Sequence, residues 1–541
     1  MSTHAGDAAE ARIDAAGGRG LVLPFSGLLL VMFIAALDQT IMATALPTIA
    51  GDLGGLGDLS WVVTVYVLAA AATTPIWGKA SDLYGRKGLL RAAIVVFIAG
   101  SALSGAAQSI AELIAFRALQ GIGAGGLMTL AMATVGDLVP PRERGRYHGY
   151  IQIVFVLASV AGPLLGGLFV DRVSWRWALY VNVPIGALAL AVLTAYLHVP
   201  APRREGRVDF LGAALLAAAV VALLLLTVWG GDRYAWSSPQ IIGLTVAALG
   251  LLGAFIVQER RASEPVLPLR LFRERVFVVV SAVLFITTLS LFAALVFLPL
   301  FLQLVTGASA TQSGLLVLPL LLASAASTVA SGWIMAATGR YKVFPLVGLV
   351  LMSVGLFLFA TLGANSSRAA AEMFMVVFGL GFGMVTQILM VAIQNTVDPR
   401  EIGTATASAN LFRALGGSVG TAAYGAIFVS GLRHWLPEKL PGAGRLPAGI
   451  DPNGIQASPG RIHTLAPAVQ HGVAQAVSGS LHDVFRVAAP IAFAGFLIAL
   501  LLRERPLRTA GAGPRGEPEA PEVDDEPEPQ ASEARGERVA A

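Results

Sequence analysis

The chain has 541 residues, of which 56% are hydrophobic and only 13% are charged, and its net charge is +4. A soluble domain usually carries about 25% charged residues, so this composition excludes an ordinary soluble protein, a disordered chain and a coiled coil. The sequence contains no cysteine, which excludes disulfides, thiolate metal sites and cysteine nucleophiles. The composition therefore predicts an integral membrane protein.

Fourteen predominantly apolar runs follow one another along the chain, each near the length of about 20 residues that a helix needs to cross a bilayer. Their length and their short connections indicate helices, since the strands of a membrane barrel have about 10 residues with alternating polarity. The fold class is therefore predicted to be all-α. The predicted spans cover residues 21–46, 59–78, 89–108, 110–134, 148–170, 176–198, 209–230, 239–258, 276–304, 312–337, 343–363, 371–396, 401–430 and 484–502.

Lys and Arg are distributed unevenly over the connections between these spans. With the N-terminus inside, the internal connections contain 18 of these residues and the six short outer connections contain four. Positive charge concentrates on the cytoplasmic side of membrane proteins, so we expect a multi-pass protein of the cell membrane with both termini in the cytoplasm. Residues 1–20 form a polar tail without the layout of a signal peptide. Residues 431–483 form a long outer loop, whose second half, Leu465 to Asp483, is expected to be an amphipathic helix that leads into the last span. Residues 504–541 form a disordered acidic tail.

One short pattern occurs twice, at equivalent positions of the predicted topology. Residues 78–87 read Gly-Lys-Ala-Ser-Asp-Leu-Tyr-Gly-Arg-Lys, and residues 332–342 read Gly-Trp-Ile-Met-Ala-Ala-Thr-Gly-Arg-Tyr-Lys. Each copy follows a span that descends to the cytoplasm, and the second has Ala336 where the first has Asp82. The spacing is weak evidence in one copy, but its repetition predicts two related six-helix halves.

Four further blocks carry a resemblance to a known family. Residues 37–47 resemble the first-helix signature of the fourteen-span drug:proton antiporters of the major facilitator superfamily, and residues 78–90 resemble the superfamily's cytoplasmic-loop motif. Residues 113–124 resemble its fourth-helix motif, and residues 149–167 resemble the fifth-helix motif of antiporters. The sequence departs from these patterns at Ala43, Ala80, Leu83 and Ala158.

This resemblance implies a major facilitator fold with two six-helix bundles, residues 21–198 and 276–503, and a linker, residues 199–275, that adds two central helices. It implies a proton-coupled exporter of drug-like amphipathic or hydrophobic molecules that works by alternating access, confers antibiotic resistance and needs no cofactor. A dedicated exporter of one lipid or natural product remains the alternative. We expect protons, a small-molecule substrate and the lipid bilayer as partners, no nucleic acid, and a monomer.

Very few ionisable residues lie at membrane depth, where charges are costly and mark functional sites, and two of them belong to the first half. Asp38 lies about 12 Å from the outer end of the first span at 1.5 Å per residue, and Arg117 lies at a similar depth in the fourth. The resemblance assigns both to proton coupling, because burial favours a protonated carboxyl while a nearby cation favours the ionised form. The alternative is a static ion pair that joins two helices.

The resemblance also assigns a gate and a packing motif. The gating loop consists of Gly78, Asp82, Gly85, Arg86 and Asp137, in which Asp82 is expected to face the N-terminus of the thirteenth helix, where the helix dipole stabilises a carboxylate. Membrane anchoring explains the Arg residues equally well, though not Asp82. The fifth-helix motif consists of Gly162, Pro163, Gly166 and Gly167. Its residues are expected to bend the helix, and close helix packing is the alternative.

Polar side chains of the second half are candidates for lining the substrate cavity. They are Gln303, Gln387, Gln394, Asn410 and Arg413. Arg413 lies about twelve residues inside the thirteenth span, and an Arg satisfied by carbonyls between helices remains the alternative to a functional one.

The sequence offers little for metal binding or catalysis. The histidines are predicted to lie at helix ends, in loops or in tails, and no cluster has the spacing of metal ligands, so we expect no metal. They are His4, His148, His198, His434, His463, His471 and His482. An enzyme would need a polar catalytic set within the bilayer, and no nucleophile lies beside a base. We therefore expect a transporter, while a receptor without transport remains possible.

Overall fold

The computed structural model describes residues 19–53, 59–199, 208–231, 233–308, 310–363, 366–440, 467–504 and 506–507. These residues are predominantly helical. The predicted N-terminal tail up to residue 18, the middle of the predicted outer loop and the predicted acidic tail from residue 508 onward lie outside the described residues.

Fourteen long helices succeed one another in the described part of the chain. The first seven are α1 (Arg19–Leu53), α2 (Leu59–Tyr84), α3 (Arg86–Ala106), α4 (Ile110–Leu138), α5 (Pro141–Arg172), α6 (Trp177–Tyr180 and Asn182–Tyr196) and α7 (Phe210–Trp229). The other seven are α8 (Pro239–Glu259), α9 (Arg275–Leu304), α10 (Ala310–Leu316 and Leu318–Thr338), α11 (Val343–Phe359), α12 (Arg368–Thr396), α13 (Ile402–Lys439) and α14 (Pro467–Leu500). Thirteen of them are long and apolar enough to cross a membrane, and α11 is a shorter apolar helix. The predicted series of fourteen membrane helices is confirmed.

The connection between α2 and α3 is shorter than predicted. Residues 79–88 were expected to form a loop, but α2 continues to Tyr84 and α3 begins at Arg86, so that Gly85 alone separates them. Gly85 has φ 92°, a conformation that only glycine adopts without steric cost. Asp82 and Arg86 therefore lie on the ends of two helices, and their positions are fixed by helical backbone.

The predicted outer loop 431–483 is wrong at its first end, because α13 continues to Lys439. At its second end, the helix expected over Leu465 to Asp483 is present as the first half of α14, which begins at Pro467. With 38 residues, α13 is about 57 Å long at 1.5 Å per residue, whereas the hydrocarbon core is about 30 Å thick. The last turns of α13 and the first half of α14 pack on each other. Trp435 Nε1 donates to Asp483 Oδ2 at 3.1 Å, and the Trp435 ring lies against Gly479. These contacts stabilise helical structure where apolar content alone does not predict it.

Two six-helix bundles form the body of the molecule. Helices α1–α6 pack chiefly through the pairs α3–α4, α2–α4 and α1–α5, and helices α9–α14 pack through α10–α12, α11–α12 and α9–α13. The bundles meet along α5–α10 and along α2–α13, with α4 also against α13. Helices α7 and α8 pack on each other, and α7 contacts α2 and α13. We call the interface between the bundles, formed by α2, α4 and α5 on one side and α10 and α13 on the other, the seam. The candidate functional site lies in the first bundle and along this seam.

Candidate functional site

Asp38 and Arg117 form a buried ion pair between α1 and α4. Arg117 Nη1 lies 2.6 Å from Asp38 Oδ2, and the two residues are 0% and 1% exposed. Although α1 continues to Leu53, its candidate membrane span is Leu21–Leu46, so Asp38 keeps the predicted depth of about 12 Å from the outer end of the span. The pair proposed from the sequence is therefore in direct contact near the middle of α1.

Two amides complete the surroundings of the Asp38 carboxylate. Gln120 Nε2 and Asn182 Nδ2 each donate to Asp38 Oδ1 at 2.8 Å. The same Asn182 nitrogen lies 3.0 Å from Ser101 Oγ. The sequence assigned no role to these residues, although Gln120 lies within the block that resembles the fourth-helix motif.

Arg117 is held by further groups of the first bundle. Its Cζ lies 4.1 Å from the centre of the Tyr66 ring of α2, its Nε donates to the Val62 carbonyl at 3.4 Å, and its Nη1 donates to Gln120 Oε1 at 2.8 Å. A cation over an aromatic face is stabilised more strongly when both are desolvated. Residues of α1, α2, α3, α4 and α6 thus contribute to one polar network, so a change in the charge of Asp38 acts on the packing of five helices.

Asp82 joins the two bundles at the end of the molecule where α2 turns into α3. Its Oδ1 accepts from the Gly403 main-chain N–H at 3.0 Å, and its Oδ2 accepts from both the N–H and the hydroxyl of Thr404 at 2.7 Å. Gly403 and Thr404 form the first turn of α13, where unpaired N–H groups and the helix dipole favour a carboxylate. The predicted position of Asp82 at the start of α13 is present in the structure.

Arg86 links Asp82 to α4. Its Nη1 lies 2.6 Å from Asp82 Oδ1, and its Nε lies 2.6 Å from Asp137 Oδ2. The same Nη1 also donates to Ser81 Oγ at 2.6 Å. The three charged residues proposed for the gate therefore form one cluster, and Gly403 and Thr404 are its partners that the sequence did not identify.

Glycine pairs bring the two bundles into backbone contact around this cluster. A Cβ added to Gly78 would lie 2.7 Å from the Gly403 carbonyl oxygen, and one added to Gly145 would lie 2.8 Å from Gly332 Cα. Such distances leave no room for a side chain, so α2 meets α13, and α5 meets α10, at these points. Hydrogen bonds between the bundles join Asp82 to Gly403, Asn410 to Thr129 and Gln152 to Ser324. The structure is therefore closed at the Asp82 end.

The fifth-helix motif divides into two parts. A Cβ on Gly162 would lie 2.6 Å from Thr40 Cβ, and one on Gly166 would lie 3.0 Å from Thr44 Cβ, whereas Gly167 has no neighbour within 4 Å. Pro163 is exposed. Gly162 and Gly166 thus allow the close approach of α1 and α5, and Gly167 takes no part in that contact.

The cavity candidates do not form one group. Gln394 is buried in the seam, where its Nε2 donates to Thr406 Oγ1 at 3.1 Å and to a carbonyl of α4. Gln303 lies at the end of α9 that is remote from Asp82, where its Nε2 donates to Ser313 Oγ at 2.9 Å. Gln387 is buried, and its Oε1 has no hydrogen-bond partner among the described residues.

Asn410 and Arg413, by contrast, lie together on α13. Arg413 Nη1 donates to Asn410 Oδ1 at 3.4 Å, and Asn410 Nδ2 donates to Thr129 Oγ1 of α4 at 3.4 Å. The alternative of an Arg satisfied by carbonyls does not match the described contacts of Arg413, which include no main-chain acceptor.

The prediction that every histidine lies at a helix end, in a loop or in a tail is wrong for His148 and His482, which lie inside α5 and α14. His148 is fully buried, and neither ring nitrogen has a hydrogen-bond partner among the described residues. The error arose because α5 begins at Pro141, seven residues before the predicted span. The described part of the chain holds no group of three or more His, Asp and Glu suited to a metal.

Comparison with known proteins identifies a family and a fold. Residues 28–421 match the model of the Major Facilitator Superfamily. The chain is 40% identical over 486 residues to an uncharacterized MFS-type transporter of Mycobacterium tuberculosis strain H37Rv, covering 89% of this chain and 69% of that protein. It is 37% identical over 418 residues to the multidrug transporter protein MdtP of Bacillus subtilis, covering 77% of each.

A solved structure shares the fold. The crystal structure of the human organic anion transporter MFSD10 (TETRAN) superposes with a TM-score of 0.60, covering 88% of this chain and 99% of that one. At 15% sequence identity, this likeness concerns the arrangement of the helices alone.

Proposed function

The chain belongs to the major facilitator superfamily, and we propose that it is a proton-coupled antiporter that exports amphipathic or hydrophobic small molecules by alternating access. It is a multi-pass membrane transporter and not an enzyme. The relative named as a multidrug transporter supports drug-like substrates for this chain. The proton gradient supplies the energy, so the proposal needs no cofactor.

The observation that carries the proposal is the burial of Asp38 with three donors on its carboxylate. An ionised carboxylate in this network is stabilised by Arg117 and two amides, and a proton on Asp38 cancels its attraction to Arg117. Protonation therefore weakens the side-chain contacts that Asp38 of α1 makes with α4 and α6. Exchange follows when proton and substrate favour opposite arrangements of these helices, since a ligand shifts an equilibrium only by its differential affinity.

In this proposal, the cluster around Asp82 opens and closes the path to the cytoplasm. We assign its end of the molecule to the cytoplasm because the Lys and Arg of the connections concentrate there, and both termini then lie inside. The present conformation is closed to the cytoplasm. Opening it breaks the contacts of Asp82 with the start of α13, which are individually weak enough to be broken and remade in each cycle.

The energy available from one proton fits this task. A proton that enters through about 100 mV releases about 2.3 kcal/mol, and about 1.4 kcal/mol corresponds to a tenfold ratio. One proton therefore sustains a gradient of about 50-fold for a neutral substrate. A monocation exchanged one for one gains nothing from the membrane potential and depends on the pH gradient alone.

One chain contains both bundles and the seam between them, so we propose the monomer in the cell membrane as the transporting unit. The test is uptake into inverted vesicles or proteoliposomes across a panel of neutral, cationic and anionic drug-like compounds, with and without an imposed pH gradient. The proposal expects uphill accumulation of several compounds that collapses when the gradient is dissipated. Accumulation that ignores the gradient contradicts the proposal, as does the absence of any flux.

The dedicated exporter differs from this proposal only in breadth. Transport confined to a single lipid or natural product in the same panel supports that alternative. Transport of several unrelated compounds excludes it.

A further inference from the structure

Arg413 carries a charge that the described residues leave unbalanced. Its Nη1 has the neutral Asn410 Oδ1 as partner at 3.4 Å, and its Nε is buried without any partner. The other terminal nitrogen, Nη2, makes no hydrogen bond within the described residues and is not among their enclosed unpaired atoms. One face of the guanidinium is therefore enclosed without an acceptor, and one end is accessible.

No carboxylate of the described chain pairs with this guanidinium. The ion pairs of the described residues join other groups. In the second bundle most described acids lie at or near helix ends, at Glu274, Glu372, Asp398, Glu401, Glu438 and Glu504. Asp483 lies inside α14, where its Oδ2 accepts from Trp435 Nε1 at 3.1 Å. In the first bundle, the deep acid Asp38 is occupied by Arg117 and two amides. The middle of the molecule thus holds one cation in excess.

The position of Arg413 places this cation between the bundles. It lies eleven residues after the start of α13, which is about 16 Å along the helix and near the middle of a core about 30 Å thick. Its partner Asn410 contacts Thr129 of α4, on the opposite bundle. One turn further on, Gly416 packs against the main chain of Phe285 and Gly417 packs against the ring of Phe292, both of α9. Arg413 therefore lies between a polar contact with α4 and the apolar helix α9.

An unpaired charge at this depth is costly, and where a protein retains one it marks a ligand or ion path. Arg presents planar N–H donors that match carboxylate, sulfonate and phosphate oxygens. We propose that Arg413 is the anchor of a subsite for the anionic head group of an amphipathic ligand, with the apolar body of that ligand along α9. The inference rests on the proposed export function and adds a substrate class to it, that of amphipaths bearing one anionic or zwitterionic group.

The membrane potential favours this class of cargo. An anion that leaves the cell moves down an inside-negative potential, and a proton that enters does the same, so both halves of the exchange release energy. A cationic substrate that leaves the cell moves against the membrane potential, and the positive charge of Arg413 repels it.

Binding of three matched dansyl probes tests the subsite directly. Dansylglycine is an anion at neutral pH, its methyl ester is neutral and dansylcadaverine is a cation, while the aromatic body is the same. Fluorescence titration of the full chain in dodecyl maltoside is expected to give about tenfold tighter binding of the acid than of the ester, the size expected for hydrogen bonds to a charged group. Arg413→Gln is expected to remove this preference by weakening the acid alone.

Two variants serve as controls. Arg413→Lys keeps the charge and is expected to retain part of the preference for the acid. Arg433→Gln removes an exposed cation from the same helix and is expected to change nothing. Equal binding of acid and ester to the unmodified chain overturns the proposal, and so does an unchanged preference in Arg413→Gln. The first comparison needs no variant, so it holds even where a substitution fails to fold.

Competition identifies the source of the anionic group. Displacement of dansylglycine by phosphatidylglycerol but not by phosphatidylcholine assigns the subsite to a lipid head group, and displacement by neither assigns it to a soluble amphipath. Displacement by inorganic phosphate or chloride at equal concentration overturns the requirement for an amphipath. Proton coupling is measured separately. If Asp38→Asn still accumulates substrate uphill, the proposed proton coupling is contradicted. The preference for the acidic probe depends on Arg413 and tests the subsite independently of that result.

Discussion

Thr404 of α13 donates twice to the carboxylate of Asp82 of α2, through its main-chain N–H and through its hydroxyl, and both donors lie 2.7 Å from the same oxygen. The two residues are 322 positions apart and belong to different bundles. This contact fastens the end of one bundle to the first turn of a helix in the other. It makes the Asp82 end of the molecule a latch whose strength depends on one negative charge.

Replacing that charge is expected to weaken the latch. Asp82→Asn removes the ion pair with Arg86 and leaves an amide in place of the acceptor, and hydrogen bonds to a charged group contribute about 1.5–3 kcal/mol. We expect lower turnover with an unchanged rank order of substrates, because the cluster lies outside the substrate path. The absence of native cysteine permits a direct measurement, the labelling of Thr406→Cys, which is buried in the seam, by an impermeant maleimide from the cytoplasmic side.

In this background Asp82→Asn is expected to raise the labelling rate about tenfold. Thr404→Val removes the hydroxyl and keeps the main-chain N–H, so a smaller increase is expected. A changed substrate preference at a normal rate, or an unchanged labelling rate, would show that Asp82 does not latch the bundles.

The glycines of α5 give a second prediction with a control on the same helix. Gly162→Ala places a methyl group against Thr40 of α1, and overpacking of this kind costs about 1–3 kcal/mol. Gly167→Ala meets open space and is expected to stay within about 0.5 kcal/mol. Thermal unfolding in detergent and transport rate are the two measurements. Equal effects of both substitutions would assign the motif to something other than the approach of α1 to α5.

The number and order of the membrane helices follow from the sequence because about 20 apolar residues in a row admit few other structures. The first turns of α5 and the last turns of α13 do not follow from hydropathy. These ends carry polar residues and are helical because they pack on neighbouring chain, as Trp435 does on α14. Hydropathy does not encode such contacts, since their partners are distant in sequence.

In the candidate site, too, some residues could be predicted from the sequence and others could not. Asp38 and Arg117 are predictable because charges are rare at membrane depth, and Asp82 is predictable from the resemblance of residues 78–90 to the cytoplasmic-loop motif of the superfamily. Thr404 and Gly403 carry no signal in the sequence, since a small residue near a helix start is common. Gln394 and Gln303 were grouped with Arg413 by polarity alone, and the structure places them in the seam and at the far end of α9.

Substrate charge gives a third prediction. Asp38, the deep carboxylate of the described middle, is already paired with Arg117, and no other carboxylate lies there for a second positive charge on the substrate. An unpaired buried charge costs several kcal/mol. Neutral and monocationic amphipaths are therefore expected to be transported better than rigid dications, by about tenfold or more when 1.4 kcal/mol or more separates them. Competition between matched monovalent and divalent compounds in inverted vesicles measures the ratio. Equal transport of dications would require another acid on the path, with Asp137 and Glu372 the first to replace.

Asn182 gives a fourth prediction, for a residue that sequence reasoning left without a role. Asn182→Leu removes one donor from the Asp38 carboxylate and buries an apolar group beside it, at a cost of about 1.5–3 kcal/mol for a hydrogen bond to a charged group. Proton-driven transport is expected to fall about tenfold or more. Substrate binding without a gradient, measured by equilibrium titration, is expected to stay within about twofold. Loss of both in equal measure would assign Asn182 to folding alone.

The central claim is that Asp38 carries the transported proton. The most direct measurement is uphill substrate accumulation by Asp38→Asn in proteoliposomes with an imposed pH gradient, beside Asp171→Asn, which alters an exposed acid at the end of α5. The account predicts no uphill accumulation by Asp38→Asn with substrate binding still measurable, and unchanged transport by Asp171→Asn. Uphill accumulation by Asp38→Asn at the rate of the unmodified chain would contradict it.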